Sequence, residues 1–181
     1  TEDRLNGAFI VIEVAPGNIV ALSGGNNFDE TQYNRVMASR SPGSGFKPFT
    51  YAAAMEYFGK DFFDKICNCP FVMRGGGGKT WAPQNFREEN PLSYGYIDFS
   101  TGLIRSVNLP TLNLARSMGG MEQIVRLANS MGVWGNPGMV RNSDGKIWLK
   151  QPHFIIKAGL VPLLPTAIGA SDVNLLELAN A

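Results

Sequence analysis

With one histidine, two cysteines and almost no net charge, the 181-residue sequence has little material for several kinds of chemistry. Sixteen Lys and Arg stand against fifteen Asp and Glu, a formal charge of +1. There is no basic surplus to hold a phosphate backbone or an anionic membrane surface, so no nucleic-acid partner is expected. Cys67, Cys69 and the lone His153 fall short of the four ligands of a structural zinc site. Cysteines separated by one residue rarely pair with each other, so both are expected as unpaired thiols. His153 is read as a surface or loop residue.

Long hydrophobic runs are also lacking. The apolar, uncharged stretch Ala158–Ala170 is shorter than the ~20 residues of a spanning helix and carries Pro162 and Pro165. The chain opens Thr1-Glu2-Asp3-Arg4, without the apolar run of a signal peptide. Any membrane anchor is therefore expected outside this chain. A first residue other than Met is read as the mark of a longer protein. What the sequence does have is 44% apolar and only 17% charged residues, enough for the core of one domain. Its 21 glycines and 11 prolines make many turns.

Two β-branched apolar runs, Gly7–Ala15 and Ile19–Leu22, flank Pro16-Gly17-Asn18 and predict a β-hairpin. Phe49–Phe58 has three consecutive alanines and Gly59 as a stop, which predicts a helix. Residues 61–91 read as irregular. Asp98 is placed as the cap of a helix reaching about Arg105, and Pro110 as the start of another reaching Met118. Met121–Met131 sets Ile124, Leu127, Ala128 and Met131 on one helical face. Met139–Leu149 reads as a hairpin around Ser143-Asp144-Gly145, and Asn174 as the N-cap of a final helix. Runs of strand and helix without regular alternation predict an α+β fold. One hairpin is marginal by itself, so either the fold is mostly helical or strands that complete its sheet are missing.

The segment Arg40–Tyr51, RSPGSGFKPFTY, carries the most chemistry. Proline is tolerated only in the first turn of a helix, so Pro48 places the helix start near Ser44. Ser44 and Lys47, three residues apart, then share a face. The hydroxyl lies where unsatisfied N–H groups stabilise an oxyanion, and a lysine that loses its water there can act as a base. Spacing alone is weak warrant: ~1 Ser-x-x-Lys arises by chance in a chain of this size, and Ser143–Lys146 has the same spacing around a turn. The plain alternative for Ser44 is a helix cap followed by a solvated lysine. Ser106 and Asn108 lie between two predicted helices, where a hydroxyl and an amide can face one cleft or simply cap a helix. Phe46 and Phe49 are expected in the core. Trp81 and Asn85 either line the cleft or pin their loop.

The stretch NRVMASRSPGSGFKPFTYAAAME resembles the active-site serine segment of class A (bifunctional) penicillin-binding proteins. The upstream AFIVIEVAPGNIVALSGG is similar to the hairpin that opens their transpeptidase domain, and Trp81-Ala82-Pro83-Gln84-Asn85 to their W-x-P-x-N segment. IDFSTGLIRSVNLPTLNLARSMG resembles the segment with their Ser-x-Asn motif, and IGASDVNLLELANA their Gly-Ala-Ser segment with its helix. The resemblance implies the penicillin-binding-protein and serine β-lactamase fold, with helices against an antiparallel sheet. It implies a D,D-transpeptidase that cross-links peptidoglycan stem peptides through an acyl-enzyme on the outer face of the inner membrane, with β-lactams as substrate mimics. In that role Ser44 is the nucleophile and Lys47 its base. Ser106 relays the proton to the leaving amine, and Asn108 binds the substrate amide and the lysine. No metal or organic cofactor is implied.

The family's third motif, Lys-Thr/Ser-Gly, is not found. Gly78-Lys79-Thr80 is followed by Trp81 and precedes the second motif, so residues 74–80 read as loop. Residues 1–181 are therefore expected to be the front part of a transpeptidase domain. The later strands, the rest of that domain as a structural partner, the glycosyltransferase domain and the membrane anchor are expected outside it. Such a piece alone is expected to be inactive. The competing readings are a non-catalytic β-lactam- or peptidoglycan-binding or sensory module of the same fold, and a serine β-lactamase.

Overall fold

A computed structural model describes residues 5–74, 80–86, 94–135, 140–141, 147–148, 160 and 162–181. His153, the Ser143–Lys146 spacing and residues 75–79 lie outside these. The chain divides into two units, each with its own interior.

The first unit comprises Thr1–Ser41, Ala128–Val161 and Ser171–Ala181. Its opening runs form the expected hairpin, β1 (Phe9–Ile12) against β2 (Ile19–Ser23). Phe9 faces Ser23, and the register shifts between Val11 and Ile12. The Glu13 N–H donates to the Asn18 carbonyl (2.9 Å) and closes the turn. The last helix lies against β1 and is capped as its sequence requires: the Asn174 side chain accepts from the Glu177 N–H at 2.9 Å. Arg40 and Val173 exchange two backbone hydrogen bonds (2.9 and 3.0 Å) beside buried Val36. Val140–Arg141 pairs with Ile147–Trp148 where a hairpin was expected; its turn lies outside the described residues.

The second unit comprises Pro42–Leu127 and Pro162–Ala170. It is built around α1 (Lys47–Phe58), preceded by a 3-10 turn, Gly43–Phe46. The helix takes in Lys47 and Pro48 ahead of the Phe49 start read from its alanines, because a first-turn proline gives up no hydrogen bond, and the 3-10 turn before it holds Ser44. It ends at Gly59, whose φ of +63° is the left-handed conformation glycine reaches without a Cβ clash. Lys47, Phe49, Thr50, Tyr51, Ala53 and Ala54 are all buried. Burial on more than one face marks a central helix, and the alanines let neighbours approach closely.

The described residues of the 61–91 stretch are less irregular than their sequence reads. β3 (Lys65–Asn68) pairs antiparallel with β6 (Gly95–Asp98), and β4 (Met73–Arg74) with β5 (Thr80–Trp81). Arg74 and Thr80 are thus paired strand residues, not loop. Strands of two to four residues show too little alternation to stand out. The structure also corrects the cysteine expectation: Cys67 and Cys69 form a disulfide, their Cα atoms 5.2 Å apart.

Asp98 occupies the N-cap of α2 (Phe99–Ile104) without a side-chain capping bond; its carboxylate takes the Lys65 ammonium at 2.6 Å instead. The next helix, α3 (Asn108–Ser117), begins two residues before Pro110 and packs on α1 and β3. Helix α4 (Glu122–Ser130) buries Ile124, Val125 and Ala128, while Leu127 is half-buried and Met131 exposed beyond its end. α5 is Leu175–Asn180. The result is α+β, and among the described residues the strands pair only in twos. No described helix is long and apolar enough to cross a membrane.

Candidate active site

Ser44 lies in the 3-10 turn and its side chain is exposed. Two glycines shape that turn. Gly43 has a φ of +53° and donates its N–H to the Gly169 carbonyl at 3.2 Å. Gly169, with a φ of +82°, packs so closely that a Cβ there would overlap the Gly43 backbone. The Lys47 N–H donates to the Ser44 carbonyl, so the turn runs straight into α1.

The Lys47 side chain is only 1% exposed. Its ammonium meets three oxygens: the Ser106 carbonyl, the Ser106 hydroxyl at 3.0 Å and Asn108 Oδ1 at 2.8 Å. All three are neutral dipoles, and no carboxylate among the described residues pairs with it. Without an anion to hold the charge, loss of hydration dominates, and burial lowers the Lys47 pKa from 10.5 to about 8. Near pH 7 about one in ten such amines is neutral, against roughly 3 in 10⁴ for an ordinary lysine.

Ser106 reaches Lys47 through an uncommon backbone state. Its φ of +53° is left-handed, which costs a residue with a Cβ about 1–2 kcal/mol. This conformation turns carbonyl and hydroxyl toward the same ammonium. Backbone bonds from Ser106 N–H to Leu103 O and from Val107 N–H to Gly102 O, both 2.9 Å, lock the bend between α2 and α3. Asn108, the first residue of α3, donates its Nδ2 to the Gln84 carbonyl at 3.1 Å, which leaves Oδ1 for Lys47.

Helices α1 and α3 are tied beneath the site. Thr111 donates to the Val107 carbonyl at 2.8 Å, leaving its oxygen to accept from Tyr51 at 3.3 Å. Burial pushes the Tyr51 phenol up to about 12, so it stays a neutral donor. The Tyr51 ring meets Phe99 edge-on at 4.7 Å. The Thr50 hydroxyl donates to Ala167 O at 3.0 Å. Phe46 and Phe49 are buried 5.1 Å apart as core residues.

The structure thus gathers Lys47, Ser106 and Asn108. Ser44 lies one turn earlier, and among the described residues its hydroxyl makes no hydrogen bond. Free active-site serines are often loosely held until substrate arrives. A hydroxyl at the mouth of a helix, one turn in sequence before a low-pKa amine, has the residue types needed for nucleophilic attack on a carbonyl. Asn85 pins its loop: it accepts from Leu109 N–H at 2.9 Å and donates to Asn68 Oδ1 at 2.9 Å. Asn68 escaped notice in the sequence, where a single asparagine beside two cysteines carries no pattern. Among the described residues no three His, Cys, Asp or Glu side chains gather as a metal site would require.

The family model described as the penicillin binding protein transpeptidase domain matches residues 7–181. Penicillin-binding protein 1A of Neisseria gonorrhoeae is 34% identical over 121 residues, 65% of this chain and 15% of that protein. The Rickettsia felis protein of the same name is 34% identical over 140 residues, 76% of this chain and 17% of that one. The chain therefore spans about a sixth of the length of these relatives. Among solved structures, penicillin-binding protein 1A from Haemophilus influenzae superposes with a TM-score of 0.73 at 23% identity, over 95% of this chain and 22% of the other. The transpeptidase domain of Burkholderia pseudomallei penicillin-binding protein 3 gives 0.62 at 20% identity, over 96% and 47%. At these identities the structural likeness speaks for the fold.

Proposed function

The chain belongs to the penicillin-binding protein transpeptidase domain family, and from that membership we propose that it carries the nucleophile and base of a serine D,D-transpeptidase acting in peptidoglycan synthesis. The observation that supports this most is the buried Lys47, held by Ser106 and Asn108 one turn after an exposed serine. In the full-length protein, Ser44 Oγ attacks the carbonyl carbon of the penultimate D-alanine of a stem peptide, and its proton passes to the neutral Lys47 amine. The C–N bond breaks as the departing D-alanine nitrogen receives a proton through the Ser106 hydroxyl. This leaves an ester on Ser44. An amine of a second stem peptide then attacks that ester, its proton returns by the same path to Ser44, and the cross-link is released. Asn108 holds Lys47 and the substrate amide.

β-Lactams acylate Ser44 as mimics of the D-Ala–D-Ala bond. The work is done on the outer, periplasmic face of the inner membrane, with the glycosyltransferase domain and anchor supplied by other segments of the full-length protein. No Lys-Thr-Gly or Lys-Ser-Gly follows Asn108 in these 181 residues. They form the front part of the domain, and by themselves turn over no substrate.

The filling of all three Lys47 donors by Ser106 and Asn108, with Ser44 outside the cluster, favours one alternative, a non-catalytic β-lactam- or peptidoglycan-binding or sensory module. Intact mass after β-lactam exposure of the full-length protein, combined with a cross-linking assay, separates the two. A transpeptidase gains one covalent adduct, loses it in Ser44→Ala, and joins stem peptides. A full-length protein that takes no adduct, or takes one and never cross-links, contradicts the reading.

A further inference from the structure

The Lys47 cluster does not hold itself in place. Asn108 is an amide, and its two ends are almost the same size. Only with Oδ1 toward Lys47 does it accept from the ammonium; rotated by half a turn, it presents a donor to a donor. The choice of end is set at the other side of the amide, where Nδ2 donates to the Gln84 carbonyl at 3.1 Å. The orientation of Asn108 therefore depends on where that carbonyl is. The next residue fixes it.

Asn85 is bound at both ends of its side chain. Its Oδ1 accepts from the Leu109 N–H at 2.9 Å, one of the first-turn donors of α3 with no partner inside the helix. Its Nδ2 donates at 2.9 Å to Oδ1 of Asn68, a fully buried residue of β3. One side chain thus joins a buried strand, the loop that carries the Gln84 carbonyl, and the helix turn that carries Asn108. Resting on the acylation role assigned to Ser44 and Lys47 above, we propose that Asn85 is a positioning residue for that chemistry: it fixes the Gln84 carbonyl and the first turn of α3, and through them the end of Asn108 that faces Lys47. Asn85 touches neither Lys47 nor the nucleophile, so its effect passes through Asn108.

This dependence separates positioning from plain loop stability. The test uses the full-length protein, a fluorescent penicillin, and acylation rates expressed per labelled site, so that misfolded molecules are not counted. Asn85→Ala is expected to slow acylation by about tenfold or more, the scale of a small misplacement of reacting groups. Asn85→Asp keeps an acceptor for Leu109 N–H and loses the donor to Asn68, and is expected to fall between Asn85→Ala and wild type. Asn108→Ala removes the group through which Asn85 acts, so adding either Asn85 substitution to it is expected to change the rate by less than about twofold. If Asn85→Ala folds poorly, Asn85→Asp completes the same cycle. A wild-type rate in the Asn85 variants overturns the proposal, as does an undiminished loss in the Asn108→Ala background, the mark of a merely structural role. In both cases a labelled wild type leaves the transpeptidase reading standing. An unlabelled wild type contradicts that reading and this inference together.

Discussion

The hairpin β1–β2 and the helix pair α1–α3 answer different physical demands. In the hairpin, the backbone bonds are made but much of the side-chain surface is left open: Phe9, Val11, Ile19, Val20 and Leu22 are 44–66% exposed. Around α1 and α3 the reverse holds, and even a lysine is enclosed. Local sequence suffices to pair two strands, whereas a depressed lysine pKa requires several segments to close around one amine. The proposed chemistry belongs to the second kind of region. Substitutions there should be costly and specific, and those in the hairpin mild.

The largest expected effect breaks the site alone. Lys47→Met in the full-length protein should slow acylation of Ser44 by about 10²–10⁴, the usual loss with a general base, measured with a fluorescent penicillin. Its melting temperature should hold or rise, because a buried cation is exchanged for an apolar chain. A melting temperature that collapses with the rate would make Lys47 structural instead. Next comes Gly169→Ala, which forces a methyl group into the Gly43 backbone at a left-handed position. A loss above about 3 kcal/mol in denaturant unfolding is expected, together with lost labelling of Ser44. Tyr51→Phe removes one buried hydrogen bond and should cost about 1 kcal/mol in the same unfolding experiment. Val20→Ser in the hairpin should stay within about 0.5 kcal/mol. A large loss there would mean that the exposed face is covered in the full-length protein, and the contrast between the regions would narrow.

The division between local and distant contacts also decides how much could be read from the sequence. The N-cap of α5 was legible because Asn174 bonds a residue three positions on. The body and end of α1 were legible from its alanines and Gly59. The pairing of β3 with β6 was not, since Lys65 meets Asp98 thirty-three positions away and four residues show no clear period. The disulfide was missed because the usual spacing rule argues against linking Cys67 to Cys69. Asp98 was placed at the right helix end, but its carboxylate went to Lys65, a competitor that local sequence does not reveal.

At the site, the Ser44–Lys47 spacing and Pro48 placed both residues at a helix start, which is a local matter. That Ser106 and Asn108 face Lys47 came from family resemblance, and the left-handed bend that turns Ser106 inward has no sequence signature. The clamp of Asn85 on Asn68 and Leu109 was equally silent, because each partner is an ordinary polar group until the chain folds. The resemblance carried the order of motifs; the distances needed the structure.

The pH dependence of Ser44 acylation tests most directly whether the enclosed amine is the base. Burial holds the Lys47 pKa near 8, below its ordinary 10.5, and only the neutral amine accepts a proton. The rate of labelling by a fluorescent penicillin in the full-length protein should therefore rise about tenfold per pH unit below 8, level off above it, and lose that limb in Lys47→Met. A flat profile through pH 6–9, or a limb still climbing toward 10.5, would contradict the role of Lys47.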